Sequence, residues 1–139
     1  MNFLLDTCAV CEAGSARPNQ RVVDWLDALP AEETFLSCIT IGEIQRGIAM
    51  LPVGRKRNTL EIWFQTKIIP QFAGRIVEIE AATMLRWGTF YAELEQRGQK
   101  MPLTDSLIAA TALVHGLTLV TRNESDFAHS GVRVFNPWR

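Results

Sequence analysis

The chain has little of what marks secreted, membrane-bound or globally basic proteins. Its cysteines number only three, and an odd, small set without a secretory pattern argues for a reducing compartment rather than a disulfide framework. It has no surplus of positive charge. Fourteen Lys and Arg against 15 Asp and Glu give a formal net charge of −1, so any nucleic-acid contact has to be a local patch. Apolar runs are short: the longest, Leu107 to Val114, falls well below the about 18 residues that a membrane span requires. The stretch from Met1 to Asp6 has no basic leader and meets an acid almost at once, so a cytoplasmic location without membrane association is expected. The histidines and cysteines do not supply the two spaced pairs that a zinc site requires. There is no internal repeat and no low-complexity linker. At 139 residues a single domain spanning 1–139 is expected, because two halves would each be too small for a core.

What is present is an alternation of short apolar runs and amphipathic stretches. Asn2 to Leu5, Thr34 to Ser37, Arg75 to Ile79, Leu117 to Thr121 and Val132 to Phe135 read as strands. Helical spacing appears after Pro18-Asn19 through Leu29, from Thr40 to Met50, through Leu60, Trp63 and Phe64 until Pro70 stops it, and from Ala81 to Gln96. A last helix opens at Pro102 and closes at Gly116. Strands alternating with helices predict an α/β class fold, an α/β/α sandwich around a mostly parallel central sheet. Such sheets bind ligands at the carboxyl ends of their strands, near a switch in strand order. Asp6, and the segment from Arg122 to Asp126, fall at such ends.

Four acids stand out, and each has an ordinary structural explanation. Asp6 suits an N-cap for the turn at Thr7. Glu43 completes Thr40-x-x-Glu43, a capping-box pattern. Asp105 lies in the first turn after Pro102, where the helix dipole favours a carboxylate. Asp126 suits a turn after Asn123. As a set they point further. Carboxylates gathered by the sheet into one cleft repel each other unless protons or a cation intervene. Oxygen-only donors suit Mg²⁺ or Mn²⁺ rather than zinc. A divalent ion with open positions for water and phosphate is suited to phosphodiester hydrolysis.

Four segments carry a resemblance: Leu4-Leu5-Asp6-Thr7, then Ser37-Cys38-Ile39-Thr40-Ile41-Gly42-Glu43, Asp105 through Ala112, and Thr121-Arg122-Asn123-Glu124-Ser125-Asp126-Phe127. In order and spacing the chain resembles the PIN-domain nucleases over essentially its whole length. The tail Phe135-Asn136-Pro137-Trp138 is similar to the VapC/FitB branch, the toxins of bacterial toxin–antitoxin pairs. The resemblance implies a Mg²⁺- or Mn²⁺-dependent endoribonuclease with Asp6, Glu43 and Asp105 as metal ligands. Relatives carry a further acid either directly after the Thr-Arg pair, where this chain has Asn123, or three residues later, at Asp126. Asp126 is taken as the fourth ligand, with Asn123 as a metal-water or orienting group. The resemblance also implies an RNA substrate, a DNA-binding antitoxin partner, and a homodimer that can pair into larger assemblies.

Other features admit rival readings. Cys8-x-x-Cys11 after the first strand is where a thiol oxidoreductase would place its redox pair. The alternative is that both pack as small apolar residues, in which case thiol alkylation would leave activity intact. A phosphotransferase with an aspartyl nucleophile fits poorly, since Cys8 stands where a second acid would be. Arg46, Arg55, Lys56 and Arg57 are candidate RNA-phosphate contacts, or a solvated helix face. The tryptophans fall at apolar helical positions and read as packing residues. A non-catalytic PIN-like binding module would require an incomplete acid set.

Overall fold

The computed structural model describes residues 1–139. The elements run β1 (Phe3–Leu5), α1 (Thr7–Ala13), α2 (Gln20–Ala28), β2 (Thr34–Ser37), α3 (Cys38–Ala49), α4 (Arg55–Trp63), α5 (Ile69–Gln71), β3 (Ile76–Val77), α6 (Ala81–Gln96), α7 (Leu103–His115), β4 (Thr118–Val120) and β5 (Val134–Phe135). All pairings are parallel and the strand order is β3-β2-β1-β4-β5. The order therefore turns back between β1 and β4, the place where such sheets open a crevice.

Side chains alternate across β1. Phe3 and Leu5 enter one apolar cluster with Val10, Leu36, Ile44 and Phe64, whereas Leu4 enters a second with Phe90, Leu94, Ile108 and Leu119. One cluster on each face of the sheet is the expected α/β/α sandwich. Registers Leu5↔Val120 and Ser37↔Val77 bring the strands to one carboxyl edge. Helices that return antiparallel to such strands have their N-termini at that same edge.

Several local features differ from the sequence reading. Thr7–Ala13 is a helix, capped by Asp6, whose Oδ1 accepts from the Ala9 N–H at 3.2 Å. Pro70 does not end its helix. A π-turn at Phe64–Ile68 links α4 to α5, with Ile69 N–H donating to the Phe64 carbonyl. The wider turn lies just before the proline, which has no N–H to donate and would clash with the carbonyl one α-turn back. The third strand shrinks to Ile76–Val77 and the last to Val134–Phe135, because both are edge strands with one neighbour each. No helix is long and apolar enough to cross a membrane.

The central position of Leu4, fully buried in β1, sets the expected energetics. Leu4→Ala is expected to lower stability by about 2–5 kcal/mol, while Leu85→Ala, 76% exposed on α6, changes it by about 0.5 kcal/mol or less. Urea unfolding of both variants checks this; similar midpoints for the two would contradict the assigned core.

Candidate active site

The carboxyl edge holds a cavity of about 250 Å³ lined by Asp6, Thr7, Cys8, Cys11, Glu43, Asp105, Ile108, Asn123 and Phe127. Each acid reaches it from a different element. Asp6 ends β1, and its backbone N–H donates to the Val120 carbonyl of β4 at 3.1 Å, which places it at the switch in strand order. The residue is only 8% exposed. Oδ1 accepts from Ala9 N–H and from the Cys8 thiol, Sγ to Oδ1 2.7 Å. Oδ2 has no protein donor and is not sealed from solvent. The N-cap reading of Asp6 is therefore correct for one oxygen and leaves the other available.

The capping-box reading of Glu43 is not what the structure shows. The helix starts two residues earlier than Thr40, and Ser37 caps it, its Oγ accepting from Ile39 N–H at 3.0 Å. Ser37 stands at the strand–helix junction, where the free N–H groups are, so the cap forms there. Glu43 lies beyond the first turn and is fixed from another element: Thr7 Oγ1 donates to its Oε1 at 2.8 Å. Thr40 is instead buried, with an unpartnered hydroxyl.

Asp105 occupies the third position of α7. Its carboxyl is pushed up to about 6, first by burial and then by the charges of Glu43, Asp126 and Asp6. These repulsions outweigh the favourable helix N-terminus, and no hydrogen bond offsets them. Asp126 acts on Asp105 through its charge but does not line the cavity. It lies in the 3₁₀ turn Glu124–Phe127 and borders a smaller hollow with Gln99, Lys100, Ser125 and His129. Asn123 does line the cavity, its backbone N–H donating to Thr121 Oγ1 at 3.1 Å.

The thiols also differ from both sequence readings. Cys8 and Cys11 line the cavity rather than filling the core, so alkylating them would obstruct it and cannot separate the redox reading from the nuclease reading. Burial and the Asp6 charge push Cys8 up to about 12, and burial with Asp6 and Glu43 raises Cys11. Both are free thiols and are held protonated, the opposite of an activated redox pair.

No cationic side chain lines the cavity. Arg57 pairs with Glu61 at 3.2 Å within α4, and Arg46, Arg55 and Lys56 are exposed outside the lining. Arg122 lies next to the lining residue Asn123 and its backbone N–H donates to the Cys8 sulfur at 3.4 Å, but its guanidinium pairs with Glu12 at 3.6 Å and lies 4.7 Å from the Trp138 ring centroid. Trp138 Nε1 donates to the same Glu12. This clamp on the C-terminal tail was not legible as a pairing in the sequence, since Glu12 lies more than a hundred residues from both Arg122 and Trp138.

The donor set fits a hard divalent cation: unshared carboxylate oxygens, a mutually repelling acid group and no lining cation to neutralise it. Three or more of these donors are not already drawn together at metal-binding spacing. An ion here would draw the side chains in or complete its shell with water.

The PIN-domain family model matches residues 3–131. The chain is 39% identical to Toxin FitB of Neisseria gonorrhoeae over 98% of both chains. The FitAcB crystal structure from that organism superposes with a TM-score of 0.92 over 99% of both chains at 39% identity. VapC ribonuclease Y4jK of Sinorhizobium fredii is 32% identical, covering 98% of this chain and 97% of its own. A toxin–antitoxin complex from Klebsiella pneumoniae matches at 28% identity, TM-score 0.70, over 98% of both chains. With likeness of sequence and fold extending over nearly its whole length, the chain belongs to the PIN-domain family.

Proposed function

We propose that the chain, as a single PIN domain over 1–139, is the toxin of a toxin–antitoxin pair and a Mg²⁺- or Mn²⁺-dependent endoribonuclease. The observation that carries this reading is the convergence of Asp6, Glu43 and Asp105 on one open cavity with oxygens that no protein group occupies. The toxin and ribonuclease names of its relatives support it. Asp6, Glu43 and Asp105 would hold the ion. Asn123 takes the fourth place in preference to Asp126, because it lines the cavity and Asp126 does not. When bound, the ion supplies a water of lowered pKa and charge stabilisation at a phosphate oxygen.

The chain's own groups arrange that site. Thr7 holds Oε1 of Glu43 and leaves Oε2 free, and the Asn123 side-chain amide orients water or a phosphate oxygen. Asp126 adds negative charge at Asp105 from outside the lining. At about 250 Å³ the open cavity has room for an ion together with several waters. Arg46, Arg55, Lys56 and Arg57 serve as outer phosphate contacts. The partner is an antitoxin, a reading supported by the Klebsiella pneumoniae toxin–antitoxin complex, and we propose that it binds DNA and covers the cavity. The assembly is a homodimer or a multiple of one, in the cytoplasm.

Protein freed of antitoxin is expected to cleave a mixed RNA pool with Mg²⁺ or Mn²⁺ and to stop on adding EDTA. Asp6→Asn and Asp105→Asn each reduce cleavage by about 100-fold or more while the far-ultraviolet circular dichroism is retained. No cleavage at any concentration of either ion would overturn the nuclease reading, and loss of fold in both variants would favour a purely structural role for the acids.

The raised Asp105 carboxyl gives a second prediction. Folding favours its protonated form, so its contribution to stability declines as pH rises from about 4 to about 6 and the full penalty stands above that range. In EDTA at pH 7.5, Asp105→Asn is expected to be more stable by about 1 kcal/mol after solvent screening is allowed for, about 2–4 °C in Tm. The gap closes near pH 4. Added Mn²⁺ raises Tm of the parent protein more than that of the variant; a variant less stable at pH 7.5 would contradict the repulsive field.

A further inference from the structure

Cys8 joins the two sides of the switch point. Its sulfur lies 2.7 Å from Asp6 Oδ1 on the β1 side and 3.4 Å from the backbone nitrogen of Arg122 on the β4 side, with Thr121 Oγ1 at 3.9 Å. The first two directions are forced by chemistry. An ionised carboxylate only accepts, so the thiol donates to Asp6, and a backbone N–H only donates, so the sulfur accepts from Arg122. The segment it touches carries Asn123, whose own N–H is tied to Thr121 Oγ1.

We infer that Cys8 is a positioning residue for a divalent ion, aiming the free oxygen of Asp6 and holding the Asn123 segment beside it. The inference rests on the reading of this cavity as a metal-dependent nuclease site. Two donors, Cys8 S–H and Ala9 N–H, converge on Oδ1, which fixes the plane of the carboxylate and turns Oδ2 outward. Ala9 N–H alone, as one backbone donor, would cap the helix while leaving rotation about the last side-chain bond less restricted. Groups that bind a ligating carboxylate from behind set its orientation, and losing one costs about 10–100-fold in metal affinity or activity. The rival explanation is that the sulfur only fills space between β1 and β4.

Mn²⁺ titration followed by electron paramagnetic resonance of the free ion, on the full chain freed of antitoxin, separates these. Cys8→Ala and Cys8→Val, the second keeping bulk without a donor, are each expected to weaken Mn²⁺ binding by about 10-fold. The Mn²⁺ concentration for half-maximal RNA cleavage shifts likewise, while kcat at saturating Mn²⁺ falls less. Cys8→Ser, which retains a donor and an acceptor, returns affinity to within about threefold of the parent, on the same scale. Parent-like Mn²⁺ binding in Cys8→Val, or Cys8→Ser as weak as Cys8→Ala, would overturn the positioning role and leave the nuclease reading intact. A parent protein that binds no Mn²⁺ would overturn both.

Discussion

Carboxylates that share a partly buried cavity repel one another, and the fold brings them together nonetheless. The parallel sheet imposes this. With every strand pointing one way, the strand ends and the N-termini of the returning helices lie on one edge. Asp6 ends the central strand, Glu43 rides on α3 as it leaves β2, and Asp105 opens α7 on its way back to β4. The backbone topology sets these positions, so the repulsion cannot be relieved by moving one residue. Asp105 registers it directly, with burial and three acidic neighbours raising its carboxyl to about 6.

The supporting side chains preserve that negative field. Thr7 and Cys8 each occupy one oxygen of an acid and leave the other open. Arg122, whose backbone N–H donates to the Cys8 sulfur, has its guanidinium engaged by Glu12 and Trp138. Had that charge turned inward, it would have neutralised part of the acids' charge. The C-terminal tail thus contributes to the site from a distance: Trp138 and Glu12 hold the arginine, and Asn136 binds the Glu124 carboxylate beside the same loop.

The parts of the fold with strong local signals were legible in the residues. Ala81–Gln96 was readable as a helix from its apolar rhythm, and Gly116 closes α7 with φ +64°, a conformation glycine adopts without strain. Asp6 and Asp105 stood out by position, one after a buried strand and one in the first turn of a helix, although each also had an ordinary structural explanation; both line the cavity. Glu43 lines the cavity, but its capping-box reading fails: Ser37, nearer the strand end, does the capping. The helix Thr7–Ala13 was missed because seven residues barely fill two turns and cannot show a full amphipathic period. Pro70 misled because a π-turn can absorb a proline that an α-turn cannot. That Asn123 rather than Asp126 lines the cavity follows from which way a 3₁₀ turn faces, information that spacing alone does not contain.

The proposed role of this negative field is a divalent-cation site formed by Asp6, Glu43 and Asp105. A crystal soaked in Mn²⁺ and measured for anomalous scattering tests it most directly. One or two anomalous peaks in the cavity, within about 2.0–2.4 Å of oxygens from these three side chains, are the predicted result. Full Mn²⁺ exposure with no peak there, or a peak held by other residues, would contradict it.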